Sequence, residues 1–78
     1  MTHMTQSWKK QTGQRIDSID VTLGQVFLGT DEGFGHGCSA VAVSYPEFLS
    51  GKLNDQVHAI FGSTILAEVR AAAEAAAA

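Results

Sequence analysis

His36 and Cys38 are the residue types from which a thiolate–imidazole pair is built. On a strand, positions i and i+2 face the same side, so the spacing permits contact. A nucleophilic cysteine also needs a depressed pKa, an orienting group and an oxyanion site. No pattern among the 78 residues supplies these. Cys38 reads as a small buried apolar residue instead, and the chain reads as a non-enzyme without catalytic residues. Gly33-x-Gly35-x-Gly37, around the same position, has the look of a phosphate cradle. Such cradles lie between a strand and a helix, whose N-terminus holds the anion. Here strands are expected on both sides, and Asp31 and Glu32 would repel phosphate. No cofactor is expected. His3, His36, Cys38 and His58 lack the paired spacing of a zinc site, so no metal is expected either.

The sharper signal is Asp31, Glu32 and Phe34, two acids ahead of an aromatic in a glycine-rich loop. An aromatic at a loop tip, ringed by acids, suits an interface anchor facing a basic pocket. The competing reading is a solvated turn whose Phe34 folds back on the strands. Asp17 and Asp20, near the start of the preceding strand, would extend the acidic field, and the sequence leaves open which side they share with the loop. The candidate partner-binding set is therefore Asp17, Asp20, Asp31, Glu32 and Phe34.

Charge divides sharply along the chain. Lys9, Lys10 and Arg15 lie in the first fifteen residues, which hold no acid. From Ile16 onward eight acids stand against two bases, a formal −6. An acidic body repels nucleic acid and membrane phosphate and is attracted to basic surfaces. Three bases beside Trp8 are too few for a nucleic-acid arm, so no direct nucleic-acid binding is expected. No stretch approaches the ~18 apolar residues of a membrane span, and the N-terminus has no apolar run of a secretory signal. With one cysteine, no internal disulfide can form. Cytoplasmic residence, in a bacterial host cell, is the expectation.

A chain of this length makes one domain with a thin core, and small domains usually need a staple. Association with itself or with a partner is the remaining support. Residues 1–14 read as a polar, basic, flexible leader, and 15–78 as a single small α+β domain. Trp8 is the exception in the leader: it would anchor to something apolar, or Thr5–Thr12 would add an edge strand. Ile16–Leu28 reads as one strand, with Ile19, Val21, Leu23, Gln25 and Phe27 on its core face and Gly24 marking a bulge or a close backbone approach. Cys38–Tyr45 is a second strand, joined to the first as an antiparallel hairpin with a long loop. Pro46–Leu53 reads as a helical turn closed by Gly51. Asn54 is the expected N-cap of one helix running from about Asp55 into the 70s. Val57, Ile60, Phe61, Ile65 and Val69 form its apolar stripe. Gly62-Ser63 would sit mid-helix as a small-residue patch, and Arg70 and Glu74 would pair across one turn. The fold class is α+β: an antiparallel hairpin packed on a C-terminal helix. A third strand from the N-terminal segment, a symmetry mate or a bound partner would complete the cover.

These properties suit a small acidic non-enzymatic inhibitor, whose carboxylates occupy arginine and lysine positions that otherwise hold phosphate. The partner would be a protein or ribonucleoprotein with a basic surface. Short, acidic, single-domain, mixed α/β and empty of motifs, the chain resembles in kind the small phage-type inhibitors of bacterial CRISPR defence, the anti-CRISPR proteins. That resemblance implies binding to a CRISPR effector, with the DNA- or PAM-recognition surface of a type I complex as target. It carries no site residue onto this chain. Two alternatives stand beside it: a self-assembling structural phage subunit, which makes the chain a homo-oligomer, and an antitoxin or immunity protein.

Overall fold

The computed structural model describes residues 6–30 and 40–78. The architecture is α+β, a four-stranded antiparallel meander in the order β1-β2-β3-β4 with helices on one face. Its strands are β1 (Gln6–Thr12), β2 (Arg15–Thr22), β3 (Gln25–Thr30) and β4 (Ala40–Ser44). Its helices are α1 (Tyr45–Leu49), α2 (Asn54–Phe61) and α3 (Ser63–Ala77). The hairpin of β3 and β4 and the helical layer match the expected fold class. The segment read as a leader supplies β1 from Gln6 on.

The expected single strand Ile16–Leu28 is in fact two. Thr22 pairs with Gln25, so Leu23-Gly24 is a two-residue hairpin turn. Gly24 has φ 93°, a value glycine reaches without steric cost at the second turn position. The turn reverses the pleat. Ile19 and Val21 face the core before it, and Val26 and Leu28 face the core after it. Phe27, assigned to the core by simple alternation, lies on the opposite face. Tyr45 locks the turn: its hydroxyl accepts from the Gly24 N–H at 2.8 Å and donates to the Thr22 carbonyl.

The expected single helix is also two. Gly62 has φ 93° and ψ 171°, backbone space that is essentially glycine's alone, and it separates α2 from α3. The break frees the Ile60 carbonyl, which a continuous helix would bond to residue 64. Lys10 of β1 donates its Nζ to that oxygen at 2.9 Å. Asn54 does not cap α2, which has Leu53 at its N-cap position and no side-chain capping bond. The Asn54 Oδ1 instead accepts from Arg70 Nη1 at 3.1 Å. Arg70 also donates Nη2 to the Leu49 carbonyl at 3.0 Å, satisfying the end of α1, rather than pairing with Glu74. The start of α1 is closed by a capping box between Ser44 and Glu47.

The core lies between the sheet and the helices. Phe48 of α1, Val57 of α2, and Val69 and Ala73 of α3 are fully buried with Ile19, Val26 and Leu28. The alanine-rich end of α3 thus contributes to packing through Ala72 and Ala73. Each large apolar side chain so buried contributes about 1.5–3 kcal/mol. Among the described residues, no helix is long and apolar enough to cross a membrane.

Candidate interaction surface

The helices cover one face of the sheet, and among the described residues no element packs on the other. Register places side chains on the open face in rows across the strands. One row reads Lys9, Ser18, Gly29, Ala40; the next reads Ser7, Asp20, Phe27, Ala42. Most of these side chains are small, so the face is a low platform from which one ring rises. Phe27 is 38% exposed, directly opposite Asp20 on one side and Ala42 on the other. Ile16, 45% exposed, lies further along β2 on the same face. Leu23, 74% exposed, tips the turn that Tyr45 holds.

The two acids of β2 separate. Asp20 is half-buried on the open face. Asp17 is 2% exposed on the core face, which removes it from any partner-facing surface. Its carboxylate is paired with Arg15 Nε at 3.2 Å. A buried carboxylate must be compensated, and the adjacent guanidinium does so. Asp31, Glu32 and Phe34 lie outside the described residues, as do His36, Cys38 and the glycine run.

The basic leader has an internal explanation. Lys10 serves the Ile60 carbonyl, and Arg15 serves Asp17. Lys9 alone of the three lies on the open face, diagonal to Asp20. Trp8, on the core side of β1, donates its indole N–H to Glu68 Oε1 at 3.0 Å and packs against the core. The segment is therefore tied to both α2 and α3 by side chains the sequence marked as unusual.

Elsewhere, Glu47 is the acid whose proton affinity the structure visibly changes. A hydrogen bond from the Lys52 ammonium, followed by those from Ser44, holds its carboxyl below the ordinary value. The carboxylates of Asp20, Asp55 and Glu74 have no hydrogen-bond or ion-pair partner among the described residues. No group of three or more metal-ligating side chains occurs among the described residues.

Phe27 is the surface residue that alternation missed. The signal that would have found it is Leu23-Gly24 read as a turn rather than as strand. No family model, no curated protein and no solved structure matches this chain.

Proposed function

We propose that this chain is a non-enzymatic binding protein that docks its open sheet face on a protein or ribonucleoprotein partner with a basic surface. Occupying that surface would exclude nucleic acid from it. In the specific form of the proposal, the target is the DNA- or PAM-recognition surface of a type I CRISPR effector complex. The observation that carries the reading is Phe27. A large ring stands solvent-accessible on a platform of Gly, Ala and Ser, beside an acid. Exposed aromatics on a rigid element are the usual anchors of protein interfaces. Small neighbours let a partner approach the ring closely. The formal charge of −3 supplies long-range attraction to a cationic partner, while Phe27 supplies contact area and residence time.

The experiment measures DNA binding by a purified type I effector complex as this protein is titrated in. The proposal expects DNA binding to fall, Asp20→Lys to slow association most at low salt, and Phe27→Ala to speed dissociation. Undiminished DNA binding at saturating protein refutes the CRISPR target. The broader docking reading fails if a lysate capture yields the same proteins with the parent chain and with Phe27→Ala.

A further inference from the structure

We propose that β4 is a self-pairing edge, through which two copies of this chain join their sheets into one continuous antiparallel sheet. β1 and β4 are the outer strands of the sheet, and among the described residues no strand pairs with the outer side of either. Exposed edges are normally blunted with charge, above all with lysine, or with proline. β1 carries Lys9 and Lys10, whereas β4, Ala-Val-Ala-Val-Ser, carries neither charge nor proline.

The backbone groups on that edge can be counted. Thr22 and Gln25 flank a two-residue turn and so form a hydrogen-bonded pair. The alternation of antiparallel ladders then runs across the sheet. Val26 and Leu28 turn their amides toward β4, where Val43 and Val41 meet them. Ala40, Ala42 and Ser44 consequently aim their N–H groups outward. Ser44 confirms the phase, because its N–H is 3.3 Å from Glu47 Oε1, beyond the strand edge. That contact also closes the edge at Ser44. Among the described residues nothing takes up the outward N–H and C=O groups of Ala40 and Ala42, and their methyl side chains offer no obstruction.

One antiparallel, two-fold register satisfies all four groups at once: Ala40 opposite the partner copy's Ala42, and the reverse. It places Val41 opposite Val41 of the second copy in a non-hydrogen-bonded pair, where side chains approach most closely. Val41 is a half-buried residue at the margin of the core. In this register each Val41 covers the other's exposed side, which extends the core across the junction. No charged side chain lies on β4 to oppose this. The pairing does not depend on the docking reading, although it would set two Phe27 platforms side by side on one sheet face.

Sedimentation equilibrium of the full chain tests the inference. The expected mass rises with concentration toward twice the 8.2 kDa of one chain. Ala42→Pro removes an outward N–H, which an edge strand tolerates, and should hold the mass at one chain with an unchanged circular dichroism spectrum. Ala42→Lys, at an exposed position, should do the same if the proline variant fails to fold. Val41→Cys combined with Cys38→Ser tests the register. Cα atoms about 4.5 Å apart in such a pair lie within the ~4.4–6.8 Å reach of a disulfide, so mild oxidation should give a covalent dimer. A parent chain that stays at one-chain mass up to roughly 1 mM, the weak end of measurable affinity, overturns the inference. So does a dimer that survives both Ala42 variants, or one that the Val41→Cys variant cannot cross-link.

Discussion

Adjacent residues Phe27 and Leu28 give the most direct test of how this sheet is built. If Ile16–Leu28 were one strand, alternation would bury Phe27, and its truncation would cost about 3–5 kcal/mol. With the turn at Leu23-Gly24, Phe27 lies on the open face at 38% exposure and Leu28 is fully buried. Leu28→Ala should therefore cost about 3–5 kcal/mol, the range for a leucine truncated in a packed core that cannot collapse. Phe27→Ala loses only cross-strand contacts on a solvated face, worth roughly 0.2–1 kcal/mol each. A domain of this size holds on the order of 4–12 kcal/mol in total. Leu28→Ala then removes a large share of the stability, while Phe27→Ala leaves a folded protein. Urea or guanidinium titration of both variants, followed by tryptophan fluorescence and far-ultraviolet dichroism, reads the difference. In thermal melts each 1 kcal/mol corresponds to about 4–8 °C at this size, so the two midpoints should stand well apart. A Phe27→Ala cost equal to or above that of Leu28→Ala would refute the turn, the parity of β3 and the open-face assignment together. The same Phe27 variant, stable but weak in partner capture, would separate the binding role from the structural one.

Other consequences are narrower. Tyr45→Phe removes the hydroxyl that joins Gly24 to Thr22, and should cost about 1 kcal/mol by denaturant titration, with faster exchange of the Gly24 amide. Gly62→Ala forces a Cβ into φ 93°, ψ 171°, and should destabilise by about 1–3 kcal/mol despite alanine's better helix propensity; a stabilised variant would show that α2 and α3 run on as one helix. The folded-state proton affinity of Glu47 is lowered, so its contribution is complete above its ordinary value of 4.5 and fades as pH falls through the lowered folded value. Glu47→Gln should flatten the part of the stability–pH curve that falls from about 4.5 down through that lowered value, whereas an unchanged curve would mean the Lys52 and Ser44 contacts do not form in solution. Arg70→Met should destabilise by about 1.5–3 kcal/mol, because the Leu49 carbonyl loses a charged donor, and Glu74→Gln should change little.

Much of the fold was legible. Apolar alternation marked the strands, Pro46 marked the turn into helix, and the stripe from Val57 to Val69 marked the helical layer. What misled was local ambiguity at two glycines. Leu23 continues the odd-numbered apolar alternation of Ile19 and Val21, so the pattern runs smoothly through a turn that actually reverses it. Gly62 carries a modest penalty in a helix and a large advantage at positive φ. The apolar helical stripe runs across it, with Ile60 and Phe61 before and Ile65 and Val69 after, and hides which of the two applies. Asn54 and Arg70 were misassigned for a related reason. Capping and i, i+4 rules are local, and both side chains found stronger partners across the helical layer.

The candidate site fared differently. Alternation puts Asp17 on the face of Ile19 and Val21 and Asp20 on the other, but a charged residue near a strand end is ordinarily solvated, so parity alone did not remove Asp17 from the surface acids. Asp17 is buried because Arg15, two residues away on the same face, neutralises it under the helices. The acidic body and basic leader were plain in the residue order. That Lys10 and Arg15 serve the fold, and do not extend as an arm, depended on β1 lying against β2 with its core side under α2 and α3.

Composition and periodicity determined the class of the molecule, its net charge, its lack of disulfide support and the presence of strands before helices, because each follows from residue types and their spacing along the chain. Which face of the sheet is left open, and that Phe27 rises from it beside Asp20, was decided only in three dimensions. A two-residue turn inverts the pleat, and cross-strand register then sets neighbours that no sequence spacing encodes.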